Sequence, residues 1–370
     1  MAEQQQQQPP YPLHASVIDR IDPVYAAFYN EHVADKQQVH LQPIEASRSS
    51  GILIPGASPL YPVGSTVDYT FARQASEGPD VRVRCFTPSC KRPEDGWPVC
   101  VYFHGGGWVL GNIDTENVIA TNLCQRGRVV VVSVDYRLAP ENPFPAAVHD
   151  AWEGVLWVRG AGKDILHLDI TKMATAGSSA GGNLAAVMCQ RCADLGEQWF
   201  RLQLLSVPVM DNTATVESEK YDSWEENEFA PALPAAKMMW YRHHYLPNRE
   251  DWAHPEASPL LWKGDWSKLP EASIVVGELD VLRDEGEEFA DRLELAGVEA
   301  DSTVKDGLPH PFIAMDAVLE AGAEAIRGWC LRLRQTMYPG TVLGGWGETI
   351  ATVEQEDDEK DGEKDNGDTQ

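Results

Sequence analysis

The hydrophobic positions of this chain follow one rhythm from about residue 81 onward and another before it. VRVRCF (81–86) alternates apolar and polar side chains, as a strand with one buried face does. VCVYF (99–103) and VVVVSVDY (129–136) are continuous apolar runs, the second rich in β-branched residues, and such runs fill the middle of a parallel sheet covered on both faces. MATAG (173–177) is a short strand, RLQLLSVPVM (201–210) and ASIVVGELD (272–280) are two more buried ones, and ADSTVKDG (300–307) is an edge strand. Between them NLAAVMCQRCADLG, AWEGVLWVRG and EGEEFADRLELAG carry apolar residues at helical spacing. Strands alternating with helices predict an α/β fold: a doubly wound, mostly parallel sheet.

Two stretches break the rhythm. Before the strands, Val17, Ile21, Val24, Tyr25, Phe28 and Tyr29 recur at three- and four-residue spacing and predict one or two short amphipathic helices. Between two core strands, 211–259 is polar and then gives LPAAKMMWYRHHYL, a helical segment rich in Met and aromatics. The expected organisation is therefore a disordered Gln/Pro tract over 1–15, cap helices over 16–60, a core over 61–210 and 260–340, a cap insertion over 211–259 and an acidic disordered tail over 341–370.

Composition narrows the possible partners. Hydrophobic residues make up 43% of 370, enough for a sizeable core, and the net charge is -27. So acidic a chain lacks the clustered cations that phosphate binding requires, which excludes nucleic acid, and it would be repelled by an anionic membrane surface. Part of the charge is local: the last seventeen residues hold nine acids against Lys360 and Lys364. The seven cysteines are scattered, and the one C-x-x-C, Cys189 with Cys192, falls inside a helical pattern without a second ligand pair, so ordinary thiols are expected there rather than zinc. MAEQQQQQPPYP has neither a basic n-region nor an apolar stretch, and no apolar run reaches membrane-spanning length. A cytoplasmic protein with no membrane span is the expectation.

Candidate chemistry sits on the strand ends. Gly177-Ser178-Ser179-Ala180-Gly181 lies between a predicted strand and a predicted helix, where a sharp turn flanked by glycines exposes the middle serine, Ser179. A glycine- and serine-rich turn is often only a helix cap, so this pentapeptide needs support from elsewhere. His104-Gly105-Gly106-Gly107 follows the strand VCVYF. No lysine or spaced glycine fingerprint accompanies it, which disfavours a phosphate loop. Bare backbone amides aimed at a developing oxyanion explain it better, with Gly106, Gly107 and Ala180 as donors.

A serine hydroxyl needs a base, and the base needs an orienting acid. Asp280 ends the strand ASIVVGELD, and His310 lies in GLPHPF just after the last predicted strand. Their order after Ser179 is the serine–acid–histidine order expected of this arrangement. Glu278 and Asp284 compete as the acid, and His243, His244 and His254 as the base; these histidines fall in or beside the insertion.

Taken together, HGGGW, DYRLAPENPFPAAVHD, GSSAGGNLAA, DVLRDEGEEFA and HPF resemble the hormone-sensitive-lipase-like branch of the α/β-hydrolases, in family order over about residues 97–335. The resemblance implies the α/β-hydrolase fold, Ser179 as nucleophile, Asp280 as acid, His310 as base and a lid built from the N-terminal helices and the insertion. It implies that Asp135, Arg137 and Asp150 form supporting ion pairs. Two residues depart from the family pattern: Ser178, where Asp or Thr is usual, and Pro311, where Gly is usual.

The implied activity is hydrolysis of a carboxylic ester through an acyl-enzyme, with no cofactor or metal and a small-molecule ester as partner; LPAAKMMWYRHHYL, with Trp108 beside the glycine loop, suggests a small to medium apolar substrate. Trp108, beside the glycine loop, is a candidate substrate contact. Amidase, lactonase or deacetylase chemistry would use the same three residues, and a ligand receptor on this fold is a further alternative.

Overall fold

The structure is a computed structural model that describes residues 9–49, 55–342 and 351–352. It opens with helices α1 (Pro23–His32) and α2 (Ile44–Ser49), followed by strands β1 (Ser65–Phe71), β2 (Val81–Thr87) and β3 (Trp97–Phe103). Then come α3 (Asn117–Gly127), β4 (Val130–Asp135), α4 (Ala146–Arg159), α5 (Ala161–Leu166), β5 (Leu168–Ser178), α6 (Ala180–Asp194) and β6 (Phe200–Ser206). After α7 (Asp222–Glu226) and α8 (Ala235–Tyr245) the core resumes with β7 (Glu271–Leu279), α9 (Arg283–Leu295), β8 (Ala300–Pro309) and α10 (Glu320–Met337).

Eight strands form one sheet in the order β1-β2-β4-β3-β5-β6-β7-β8. The pairs β1/β2 and β2/β4 are antiparallel, and every pair from β4 to β8 is parallel. All seven residues of β3 are buried, as the continuous apolar run requires of a central strand. Helices α4, α6 and α9 cover one face, and α3 and α10 the other, so that two apolar cores sandwich the sheet.

Several boundaries differ from expectation for local reasons. Strand β1, STVDYTF, adds an edge strand ahead of the first one the pattern predicts: its residues are exposed or half-buried, so it carries no apolar signature. Strand β5 is longer than MATAG because its start, Leu168, pairs with Trp97. Strand β6 stops at Ser206, four residues early, since Val207 takes a left-handed φ of 42° and Pro208 follows, turning the chain out of the sheet. The excursion from the sheet thus spans 207–270, wider at both ends than the expected insertion. Residues 1–8 of the Gln/Pro tract and 343–350 and 353–370 of the acidic tail lie outside the described residues; within the tail, Thr341–Val342 pairs with Ala351–Thr352.

The expected disorder does not extend over 9–15. The Tyr11 amide donates to the Ala34 carbonyl at 2.9 Å, and its own carbonyl accepts from the Tyr29 hydroxyl at 3.0 Å. The N-terminal segment is held over the carboxyl ends of β7 and β8. Asp22 caps α1 by accepting from the amides of Val24 and Tyr25, and its own amide donates to Gly307 O at 2.9 Å. Arg20 reaches Glu278 at 3.1 Å. Gly307 permits this approach: a Cβ there would lie 2.8 Å from Arg20 O and from Asp22 N.

Candidate active site

The strand register assembles the site. Phe103 pairs with Gly177 across β3 and β5, so the HGGG loop and the Ser179 turn leave neighbouring strands together. Leu279 pairs with Pro309 across β7 and β8, which sets Asp280 beside His310. All four segments emerge at the carboxyl ends of parallel strands, where open α/β sheets place their ligands.

Ser179 occupies a single residue between β5 and α6, at φ 53° and ψ -118°, a conformation an L-residue holds only when its surroundings impose it. Its amide donates to Ser206 O at 2.8 Å. A Cβ on Gly177 would lie 2.4 Å from the Gly181 carbonyl, and one on Gly181 only 2.0 Å from Phe103 O, so both glycines are required for the turn to close against β3. The Asn183 amide group donates to Val209 O and Ala257 O, tying α6 to the excursion.

The structure brings the three expected side chains into one chain of contacts. His310 Nε2 lies 2.8 Å from Ser179 Oγ, and His310 Nδ1 lies 2.7 Å from Asp280 Oδ2. Asp280 is fully buried, and its other oxygen accepts from the Leu282 amide at 3.0 Å. Asn227, from the excursion, donates to the carbonyls of Asp280 and Glu278 and pins the end of β7. The competing residues are engaged elsewhere. Glu278 binds Arg20 and the Gly307 amide, and Asp284 accepts from the Ser223 amide and Arg283. His243, His244 and His254 pack against Trp252, Trp240 and Phe144 respectively.

The glycine loop is held from behind. His104 is fully buried and stacked on Tyr136; its Nδ1 lies 2.7 Å from Gly105 O, while the Tyr136 hydroxyl donates to His104 O at 2.7 Å. Burial lowers the His104 pKa to about 4, so the ring is neutral near pH 7. Gly106 (φ 125°) and Gly107 (φ 61°) lie in the left-handed region, and a Cβ on Gly106 would meet Leu110 O at 2.2 Å. A Cβ on Gly107 would fall 2.2 Å from the ring of Tyr241, which packs directly on the loop from α8.

Trp108 departs from expectation. It is fully buried and stacks on Tyr245 at 4.2 Å with an 8° interplanar angle, so it packs the loop against α8 rather than facing a substrate. Arg137 clasps Asp150 at 2.9 Å, Arg73 also pairs with Asp150, and Asp135 lies 3.9 Å from Arg82, so the expected ion pairs are present. Cys189 and Cys192 are buried, unbridged thiols on α6. Pro311 opens the short turn Phe312–Met315, where its carbonyl accepts from the Ala314 amide at 3.0 Å.

Two neighbours of the site have no sequence signal, Asn227 and Glu116, and a third, Tyr241, is marked only as part of the aromatic-rich segment LPAAKMMWYRHHYL. Glu116 sits in the polar loop GNIDTEN, which reads as surface, yet its carboxylate lies behind the turn that carries Ser179. It accepts from Gly105 N at 3.0 Å, from the Tyr102 hydroxyl at 2.8 Å and from the Ser178 hydroxyl. Burial pushes its pKa up.

Residues 100–314 match the α/β-hydrolase fold family. The chain belongs to that family, in its hormone-sensitive-lipase-like branch. It is 47% identical over 318 residues to the AB hydrolase superfamily protein C1039.03 of Schizosaccharomyces pombe, covering 84% of this chain and 92% of that one. It is 36% identical to carboxylesterase NlhH of Mycobacterium tuberculosis, over 70% of this chain and 79% of that one. A solved Pyrobaculum calidifontis esterase superposes with a TM-score of 0.75 at 34% identity, covering 85% of this chain and 98% of that one. Among the described residues no helix is long and apolar enough to cross a membrane.

Proposed function

We propose that the chain is a serine carboxylesterase that hydrolyses a small to medium apolar ester through an acyl-enzyme on Ser179. The carrying observation is the unbroken contact chain Ser179 Oγ–His310 Nε2 and His310 Nδ1–Asp280 Oδ2, at 2.8 and 2.7 Å. His310 Nε2 takes the serine proton as Oγ attacks the ester carbonyl, while buried Asp280 holds the Nδ1–H tautomer and stabilises the imidazolium. The amides of Gly106, Gly107 and Ala180 receive the developing oxyanion, each such donor contributing about 3 kcal/mol to transition-state stabilisation. His310 then protonates the leaving alcohol, and water repeats the sequence on the acyl-enzyme. The apolar preference is supported by the Tyr241 ring packed on Gly107, and the ester by the activities named for the carboxylesterase and esterase relatives.

The test is trapping. Incubation with an alkyl p-nitrophenyl phosphonate should add one phosphonyl group, found on the peptide that carries Ser179. A label on any other residue, or none on a folded protein, would overturn the assignment.

A further inference from the structure

Glu116 occupies a position that the proposed reaction does not use. It follows the glycine loop, at the entrance to α3, with a left-handed φ of 60°. Its carboxylate reaches three separate elements. Oε2 accepts from the Gly105 amide of the glycine loop and from the hydroxyl of Tyr102 on β3. Oε1 accepts from Ser178 on β5, the residue just before the nucleophile. Gly105 is compact for this reason: a Cβ there would lie 2.7 Å from Ser178 Oγ and 2.9 Å from Glu116 Oε1.

We propose that Glu116 is a positioning residue that locks the two halves of the oxyanion hole together. Gly105 is gripped on both of its backbone groups, its amide by Glu116 and its carbonyl by His104 Nδ1. With Gly105 fixed, the next two amides, Gly106 and Gly107, have their direction set by the backbone. The same carboxylate fixes Ser178 and, through it, the turn that carries Ser179 and the Ala180 amide. Three donors converging on one side chain demand an acceptor, and a carboxylate presents two oxygens with room for all three. This also gives Ser178 a specific role: its hydroxyl is the donor on the nucleophile side of the clasp, where a carboxylate facing Glu116 would place two anions in contact.

This inference rests on the oxyanion-hole reading above, so its test includes measurements independent of turnover. Glu116→Leu keeps the volume and removes both acceptors; Glu116→Gln keeps an oxygen for Gly105 and Tyr102 and turns its amide nitrogen toward Ser178. Ester hydrolysis, inhibition by an alkyl trifluoromethyl ketone and amide hydrogen exchange over 104–111 would be measured for each. The ketone adds to the serine oxygen and leaves its alkoxide in the oxyanion hole.

Glu116→Leu should lower kcat roughly 10- to 100-fold, less than the roughly 10²- to 10³-fold lost when an oxyanion donor is removed outright, because the amides are misdirected rather than absent. KM should stay within about twofold, ketone affinity should weaken in parallel with kcat, and exchange over 104–111 should accelerate. Glu116→Gln should restore kcat to within about threefold of the parent, since geometry rather than charge carries the effect. Should Glu116→Leu not fold, Ser178→Ala replaces it, with an expected threefold to tenfold loss in kcat on the same grounds. A folded Glu116→Leu with parental kcat and ketone affinity would overturn the proposal. So would a Glu116→Gln as impaired as the leucine variant, or an unchanged Ser178→Ala where that variant is the test. If the parent chain turned over no ester, the exchange over 104–111 would still report whether Glu116 holds the loop.

Discussion

Leu279 and Pro309 are paired across β7 and β8, so the residues that follow them, Asp280 and His310, leave adjacent strand ends side by side. The 2.7 Å contact between their side chains follows from that register together with the turn after each strand. A one-residue slip of β8 would carry the histidine to the opposite face of the sheet.

Asp280→Asn should therefore leave the fold intact and lower kcat by about 10³- to 10⁴-fold, because an amide favours the wrong imidazole tautomer. Glu278→Gln instead takes the charge out of the Arg20 pair and should change kcat little. Steady-state kinetics on the two variants check the choice of acid: a larger loss in Glu278→Gln would reverse it.

Gly181→Ala should be destabilising for a backbone reason. The added methyl would lie 2.0 Å from Phe103 O, so β3 and the Ser179 turn would have to separate. Urea unfolding should show a loss of more than about 2 kcal/mol, or no folded protein at all. Parental stability would mean that the turn is looser than described.

Trp108→Ala tests packing against substrate contact. A buried indole stacked on Tyr245 should cost about 3–5 kcal/mol on truncation. A variant of parental stability with a raised KM would instead restore Trp108 to the substrate face.

His104 should make stability sensitive to acid. Its pKa falls from 6.5 in the unfolded chain to about 4 in the buried site, where Nε2 has no hydrogen-bond partner to receive a second proton. Between those values the unfolded state binds more protons, so stability is full above pH 6.5 and is lost as the pH falls toward 4. Up to roughly 3 kcal/mol is at stake for this group. Urea midpoints from pH 7.5 to 4.5 should fall less steeply for His104→Gln than for the parent. Equal slopes would place the acid sensitivity in other histidines, such as His40, whose pKa burial also lowers to about 4.

What the sequence made legible was the set of features with a strong local cause. The apolar runs that became β3, β4 and β7 are buried on both faces, and Ser179 is flanked by glycines that the turn requires. What it hid depends on tertiary contact. Strand β1 has no apolar face to announce it, and the end of β6 is set by the conformation of Val207. Glu116 looks like any surface acid until Tyr102, Gly105 and Ser178 close around it. Trp108 was misplaced because adjacency to the glycine loop in sequence does not decide which way an indole turns, and here it turns toward Tyr245.

The most direct measurement of the central claim is hydrolysis of p-nitrophenyl esters, acetate through dodecanoate, by the chain and its Ser179→Ala variant. The expected result is turnover that peaks at short to medium acyl chains and falls at least about 10³-fold in the variant. Equal rates in both proteins would show that Ser179 is not the nucleophile, and no turnover of any ester by the folded parent would contradict the carboxylesterase assignment itself.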